Sequence, residues 1–92
     1  MNKVTLGEVK TYLGIDGEEY DKILSVFLES ANHTVEKILR KPISEDTPEI
    51  VKTAIMYIVW QLYFHRDEDE FKMSETEKTV ALMLSDLREA GF

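Results

Sequence analysis

The amino-acid sequence predicts an all-α fold, a small bundle of four helices with one short and three longer members around a very apolar third helix. Apolar residues recur at intervals of three and four along most of the 92 residues, which is the period of a helix buried on one face. Helix-start signals precede these stripes, and proline or glycine follows several of them. No segment reads as a strand with a matching partner. At this length we expect a single domain, residues 1–92.

The first two predicted helices differ in length. In the short first helix, Thr5 and Glu8 have the spacing of a capping box, and Gly14 suits the left-handed turn that ends a helix. In the long second helix, apolar residues recur at three and four over residues 20–39, after acids that favour a helix start. Pro42 then prevents this helix from continuing.

The third helix is predicted to be the central one. Thr47 and Pro48 supply an N-cap and a proline at the first helical position. Residues 54–64 are apolar on nearly every side, which is typical of a helix buried against several neighbours. This segment carries four aromatic residues, namely Tyr57, Trp60, Tyr63 and Phe64. Three short neighbours do not easily cover so much apolar surface, so we expect part of it to contact another subunit.

An acidic linker, residues 65–70, precedes the fourth helix. Its four consecutive acids repel one another and favour a solvated turn. They lack the glycine and the alternate spacing of a calcium-binding loop. Another interpretation is a negative surface that faces DNA or a basic partner. The fourth helix is predicted to begin with a capping box at Ser74 and Glu77 and to end at Gly91.

The residue types that catalysis requires are sparse. The chain has no cysteine, which removes thiolate zinc sites and cysteine nucleophiles. His33 and His65 have no carboxylate at the spacing of a zinc motif. The glycines are scattered, so no phosphate-binding loop is predicted, and no serine has a base at a recognisable spacing. We therefore expect no enzyme activity, no cofactor and no metal.

Charge and hydropathy narrow the class of protein further. The chain has 18 acidic and 11 basic residues and a net charge of -7, the opposite of what counterion release on nucleic acid requires. The longest apolar stretch, residues 54–64, is shorter than the about 20 residues that span a membrane. No export signal is recognisable. We expect a soluble protein that is used where it is made or is carried into an assembly.

Four features in order along the chain resemble the phage head-tail connector family, whose members are also described as phage DNA-packaging proteins. Residues 4–16 have the family's short helix with a Tyr-Leu pair, a tight turn and an acid. Residues 18–24 open an acid-led long helix. Residues 54–66 form an alanine-led apolar helix that ends in aromatic and basic residues, and residues 84–88 have the closing Leu-x-x-Leu-Arg pattern.

The resemblance implies a structural virion protein. Such proteins form a ring, typically of about twelve copies, beneath the portal of a tailed-phage head. The ring extends the DNA channel and docks the next connector or tail protein. The implied partners are other copies of the chain, the portal and that downstream protein, with DNA only as passing cargo. The implied location is the neck of the virion, and the host cytoplasm during assembly.

Two groups of residues are candidates for this role. The candidate interface residues are Trp60, Tyr63, Phe64, Arg66 and Arg88, of which the two arginines match basic positions of the family. The candidate lumen-facing or partner-facing acids are Asp67, Glu68, Asp69 and Glu70. Aromatic side chains suit a buried contact between subunits, whereas acids lower the adhesion of passing DNA.

A hypothesis from a different class stays open. A small acidic chain also suits a regulator that binds a basic protein partner, for example as a DNA mimic. A connector forms a large closed ring, whereas a mimic stays monomeric or dimeric and competes with DNA for its target.

Overall fold

The structure is all-helical. A computed structural model describes the backbone of residues 1–90 and the side chains of residues 1–87. Within these residues the chain forms five helices and no strand, namely α1 (Leu6–Leu13), α2 (Asp21–Leu39), α3 (Ile50–Phe64), α4 (Met73–Met83) and α5 (Ser85–Ala90). The all-α prediction is confirmed. In the described part of the chain, no helix combines the length and the apolar character that crossing a membrane requires.

The core forms where α3 packs against α2, with α1 and α4 on either side. Helix α3 supplies more of the buried apolar side chains than any other described helix, namely Val51, Ala54, Ile55, Ile58 and Val59. Leu24 and Val35 of α2 are buried against them, as are Val9 of α1 and Val80 of α4. Removing this apolar surface from water is the main force that holds the helices together.

Helices α2 and α3 run in opposite directions. Tyr20, just before α2, packs edge-to-face on Tyr63 near the end of α3, with ring centroids 5.7 Å apart. At the other end, a short turn reverses the chain. The Glu36 carboxylate accepts the Ile43 amide N–H at 2.8 Å. The buried Thr47 hydroxyl accepts the Ser44 N–H at 2.8 Å.

The start of α3 differs from the sequence prediction. Thr47 was predicted as the N-cap, but α3 begins at Ile50 after Glu49. Threonine hydroxyls bond readily to nearby backbone groups, and here the Thr47 hydroxyl is committed to the preceding turn. The N-cap is therefore Glu49, and the helix starts two residues later than predicted.

Helix α1 is fastened by polar contacts as well as by Val9. The predicted capping box is present, because Thr5 accepts the Glu8 N–H and the Glu8 carboxylate accepts the Thr5 N–H, both at 3.1 Å. The Glu8 carboxylate also lies 3.1 Å from the Lys52 ammonium of α3. Gly14 ends the helix with a φ of 73°, as predicted.

A second ion pair joins α1 to α2. The Lys10 ammonium lies 2.8 Å from Asp21 Oδ1 in the first turn of α2. This oxygen is buried and has no well-aligned hydrogen bond. The negative charge of Asp21 is therefore stabilised by the nearby Lys10 ammonium and by the helix dipole at the start of α2.

The predicted fourth helix is divided into α4 and α5 at Leu84, so the chain has five helices where four were predicted. The Ser85 hydroxyl donates to the Leu82 carbonyl at 3.0 Å, and the buried Leu84 side chain turns into the core. A serine hydroxyl that bonds to a local carbonyl competes with the regular backbone hydrogen bonds of a helix. Helix α4 begins at Met73 after Lys72 without a side-chain cap, so the capping box at Ser74 is not formed. Gly91 lies outside the described residues.

The buried face of α3 yields a stability prediction. Ile58→Ala is expected to lower the free energy of unfolding by about 2–5 kcal/mol, because it removes fully buried methylenes and leaves a cavity. Urea denaturation followed by circular dichroism measures this loss. The matched control is Ile50→Ala in the same helix, where the side chain is 52% exposed and a much smaller loss is expected. Equal losses in the two variants would contradict the proposed core.

Glu8 yields a pH prediction. Its pKa is lowered, first by the hydrogen bond from the Thr5 N–H and then by Lys52. A lowered pKa means that the ionised carboxylate stabilises the fold above the ordinary glutamate pKa, and that this contribution is lost as the pH falls below that range. Glu8→Gln is therefore expected to lower the Tm at pH 7 and to differ less from the wild type at pH 3. Glu29→Gln, at an exposed carboxylate, is the control.

Candidate interaction surface

The aromatic residues at the end of α3 lie on two different sides of the helix. Trp60 and Phe64, one turn apart, face away from the core and are 38% and 62% exposed. Their rings stack with centroids 5.1 Å apart and planes 16° from parallel. Tyr63 is half-buried and packs on Tyr20. The predicted trio is therefore divided between an outward pair and an inward residue.

The outward pair belongs to a longer apolar strip. Met56 lies one turn before Trp60, on the same side of α3. Met56 and Tyr12 of α1 line a shared surface depression, and Tyr12 is 55% exposed. We refer to Tyr12, Met56, Trp60 and Phe64 as the apolar strip. Neighbouring exposed apolar side chains make this strip a candidate for contact with another protein.

Arg66 closes the C-terminal end of α3. Its guanidinium donates to the Tyr63 carbonyl at 2.6 Å, and the same carbonyl accepts the Arg66 backbone N–H at 3.4 Å. Both bonds serve the last turn of the helix, whose carbonyls lack partners within the helix. The guanidinium also lies over the Tyr63 ring at 4.2 Å and near the Tyr20 ring at 5.4 Å. Arg66 thus joins α3 to the start of α2 within one chain. The Arg88 side chain, the other predicted basic position, lies outside the described residues.

The four candidate acids, Asp67, Glu68, Asp69 and Glu70, all lie exposed in the turn between α3 and α4. The Glu68 carboxylate contacts His65 Nδ1. The His65 ring stacks on Phe71, with centroids 4.7 Å apart. Among residues 1–87, no group of histidines and acids is placed to hold a metal ion. The sequence analysis missed this stacking, because His65 begins the linker, Phe71 follows it, and neither residue belongs to a predicted helical stripe.

A groove of about 450 Å³ lies beside this turn, between the last turns of α3 and the first turns of α4. We refer to it as the acidic groove. Its lining includes the aromatic side chains Tyr57 and Phe71 and the carboxylates of Glu68, Glu70 and Glu75. Lys72 contributes one positive charge. The groove was not predicted, because it depends on how α4 crosses α3 and on no local sequence signal.

These surfaces belong to a small helical protein without a recognisable catalytic or metal site among residues 1–87. An exposed apolar strip and an acidic groove provide contact area and charge. A profile of the Phage gp6-like head-tail connector protein family matches residues 3–90. The chain belongs to this family, and the resemblance found in the sequence is confirmed. Neither the curated proteins nor the solved structures yield a match to the chain.

Membership in the family sets the coarse function. The chain has a structural role in connecting the phage head to the tail, and the family is not one of enzymes. Its location is the neck of the virion, and its partners are other proteins of the head and tail.

The position of Arg66 yields a prediction about stability. Arg66→Ala is expected to lower the free energy of unfolding by about 1 kcal/mol, because the Tyr63 carbonyl loses the shorter of its hydrogen bonds and two aromatic rings lose a cation. Urea denaturation measures the change. Arg66→Lys keeps the charge but lacks the flat guanidinium, so it is expected to recover only part of the stability that Arg66→Ala loses. Lys22→Ala, at an exposed site in α2, is the control, and a loss no larger than this control would refute the role of Arg66.

Proposed function

We propose that the chain forms a closed ring beneath the phage portal, extends the DNA channel and docks the next connector or tail protein. The observation that supports this most is the match of residues 3–90 to the connector family. A ring of about twelve copies requires a heterologous, head-to-tail contact that closes on itself. Each copy must then present two different surfaces to its two neighbours.

Residues 1–92 act in this proposal as one connector domain. The contacts of α3 with α1, α2 and α4 support it, because these helices share a single set of buried side chains. A unit of this kind enters a ring as a rigid body, so that the interface rather than the fold adjusts during assembly.

The apolar strip provides part of the contact between subunits. Its exposed rings, Trp60 and Phe64, lose water contact when a neighbour covers them, which favours association. Tyr63 and Arg66 serve the interface indirectly, because they fix the end of α3 that carries these rings. Arg88 is assigned to the same interface only because it matches a basic position of the family.

The acids at Asp67, Glu68, Asp69 and Glu70 face either the lumen or a partner. Their exposure supports a role at a surface rather than in the core. The net charge of -7 gives the whole chain the same sign as DNA. Like charge lowers adhesion, which suits a conduit through which DNA passes without being held.

The test is the mass of the assembly in solution. Size-exclusion chromatography with light scattering is run on the chain alone and with the portal protein. A ring, formed alone or on the portal, supports the proposal. A chain that stays monomeric or dimeric in both settings, and that competes with DNA for a basic protein, supports the DNA-mimic alternative instead.

The strip yields a prediction about assembly. Phe64→Ser is expected to weaken ring formation at least about tenfold, equivalent to roughly 1.4 kcal/mol per interface, while the Tm of the monomer changes little because Phe64 is mostly exposed. The matched control is Leu82→Ser, which removes an apolar side chain of α4 that is 77% exposed and outside the strip.

Trp60→Ala extends the same test, since Trp60 is less exposed than Phe64, at 38% against 62%. This variant is expected to weaken ring assembly and to lower the Tm of the monomer. Unchanged assembly and unchanged stability in this variant would show that Trp60 anchors neither.

A further inference from the structure

Helix α1 is held to the domain by few buried side chains. Within residues 1–87, α1 buries Val9 alone, whereas α2 and α3 bury five side chains each. Its sequence also favours a helix only weakly, because Gly7, Val9, Thr11 and Tyr12 have low helix propensity. A helix of eight residues does not persist in water by itself. Helix α1 is therefore helical only while it is docked on α2 and α3.

The polar attachments of α1 leave it able to open. Glu8 lies 3.1 Å from Lys52 of α3, and Lys10 lies 2.8 Å from Asp21 of α2. The Glu8 and Asp21 side chains are 37% and 35% exposed, and ion pairs at such exposure contribute little to stability. Residues 14–20, which join α1 to α2, form turns rather than helix. Segments of this kind open locally at a lower free energy than the core does.

The same helix forms one wall of the apolar strip. Tyr12 of α1 and Met56 of α3 line the surface depression at one end of the strip. The other residues of its lining belong to α1 or to its cap at Thr5. A copy of the chain that is seated there contacts α1 and α3 together. When α1 leaves its docked position, the depression is lost and Tyr12 no longer lies beside Met56.

We propose that the docking of α1 is coupled to self-association. A neighbouring copy on the apolar strip holds α1 in place, and only a chain with α1 docked offers the complete strip. This coupling rests on the proposed contact through the strip, to which it adds a conformational step. A ligand that binds one of two states raises the population of that state, and here the ligand is the next copy. Association changes how often α1 is docked, and the docked structure stays the same.

The first test is amide hydrogen exchange of the wild-type chain over a concentration series, alone and with the portal protein. Mass spectrometry with electron-transfer fragmentation resolves single amides. In the dilute chain, the amides of residues 9–13 are expected to exchange at least about tenfold faster than those of residues 55–59 in the core. As the chain assembles, exchange at residues 9–13 is expected to slow by one common factor, because these amides open together.

The common factor distinguishes the coupling from simple coverage. A neighbour that only covers part of α1 slows the amides beneath it and leaves the others unchanged. Slowing that is confined to a few amides of α1, or no slowing at all, would overturn the coupling.

The second test compares two equally buried valines. Val9→Ala in α1 and Val80→Ala in α4 each remove two methyl groups from a fully buried site. Val9→Ala is expected to speed exchange at residues 9–13 and to weaken association at least about threefold, because fewer chains have α1 docked. Val80→Ala is expected to lower the Tm but to leave association unchanged. Sedimentation velocity measures association, and equal association in the two variants would contradict the coupling.

A milder variant guards against loss of the fold, which circular dichroism reports. Lys10→Gln removes the ion pair with Asp21 at a site outside the strip. It is expected to speed exchange at residues 9–13 while exchange at residues 55–59 stays the same. Lys22→Gln, which makes the same change in net charge at an exposed site in α2, is the control. No difference between these two variants would show that α1 does not open separately.

The outcomes separate this coupling from the ring itself. Rings that form while exchange at residues 9–13 stays unchanged leave the proposed function standing and remove the coupling. Equal exchange at residues 9–13 and 55–59 in the dilute chain shows that α1 opens only with the whole domain, which also overturns it. A wild-type chain that assembles neither alone nor on the portal removes the ring, and the coupling with it.

Discussion

The packing of α3 against α2 is the constraint on which the rest of the structure depends. Helix α3 is apolar on nearly all sides, and only its inner face is needed for the core. Once Ile55 and Ile58 are buried, the helical period carries Trp60 and Phe64 to the outside. The core and the apolar strip are therefore two faces of one helix. A change that rotates α3 alters both stability and the surface offered to a partner.

Polar contacts then fix the position of α1 on the α2–α3 pair and join the ends of these two helices. Glu8 reaches Lys52 of α3 while it caps its own helix, and Lys10 reaches Asp21 of α2. Each contact is modest, but both fasten the short α1, which would not be stable alone at eight residues. Arg66 has a corresponding role beside the Lys10–Asp21 pair, where it holds the end of α3 to Tyr20, the residue before Asp21. The sequence therefore places charged groups where helices meet as well as on the free surface.

The sequence predicts this structure well where one local signal has no competitor. The Thr5–Glu8 box and Gly14 are such cases, as is the periodic burial of α2 and α3. It fails where a residue has two possible bonding partners. Thr47 and Ser74 have the right types for caps, yet the Thr47 hydroxyl is used in a turn and Ser74 lies inside α4. The acidic groove was beyond prediction, because it exists only after α4 has crossed α3.

Assembly of a ring depends on the geometry of the contact as well as on its area. Burial of the apolar strip gives affinity but has little directional preference. A ring closes only if every subunit meets the next at the same angle. Charged and polar groups around an apolar contact fix this angle, because a misaligned register leaves like charges facing one another.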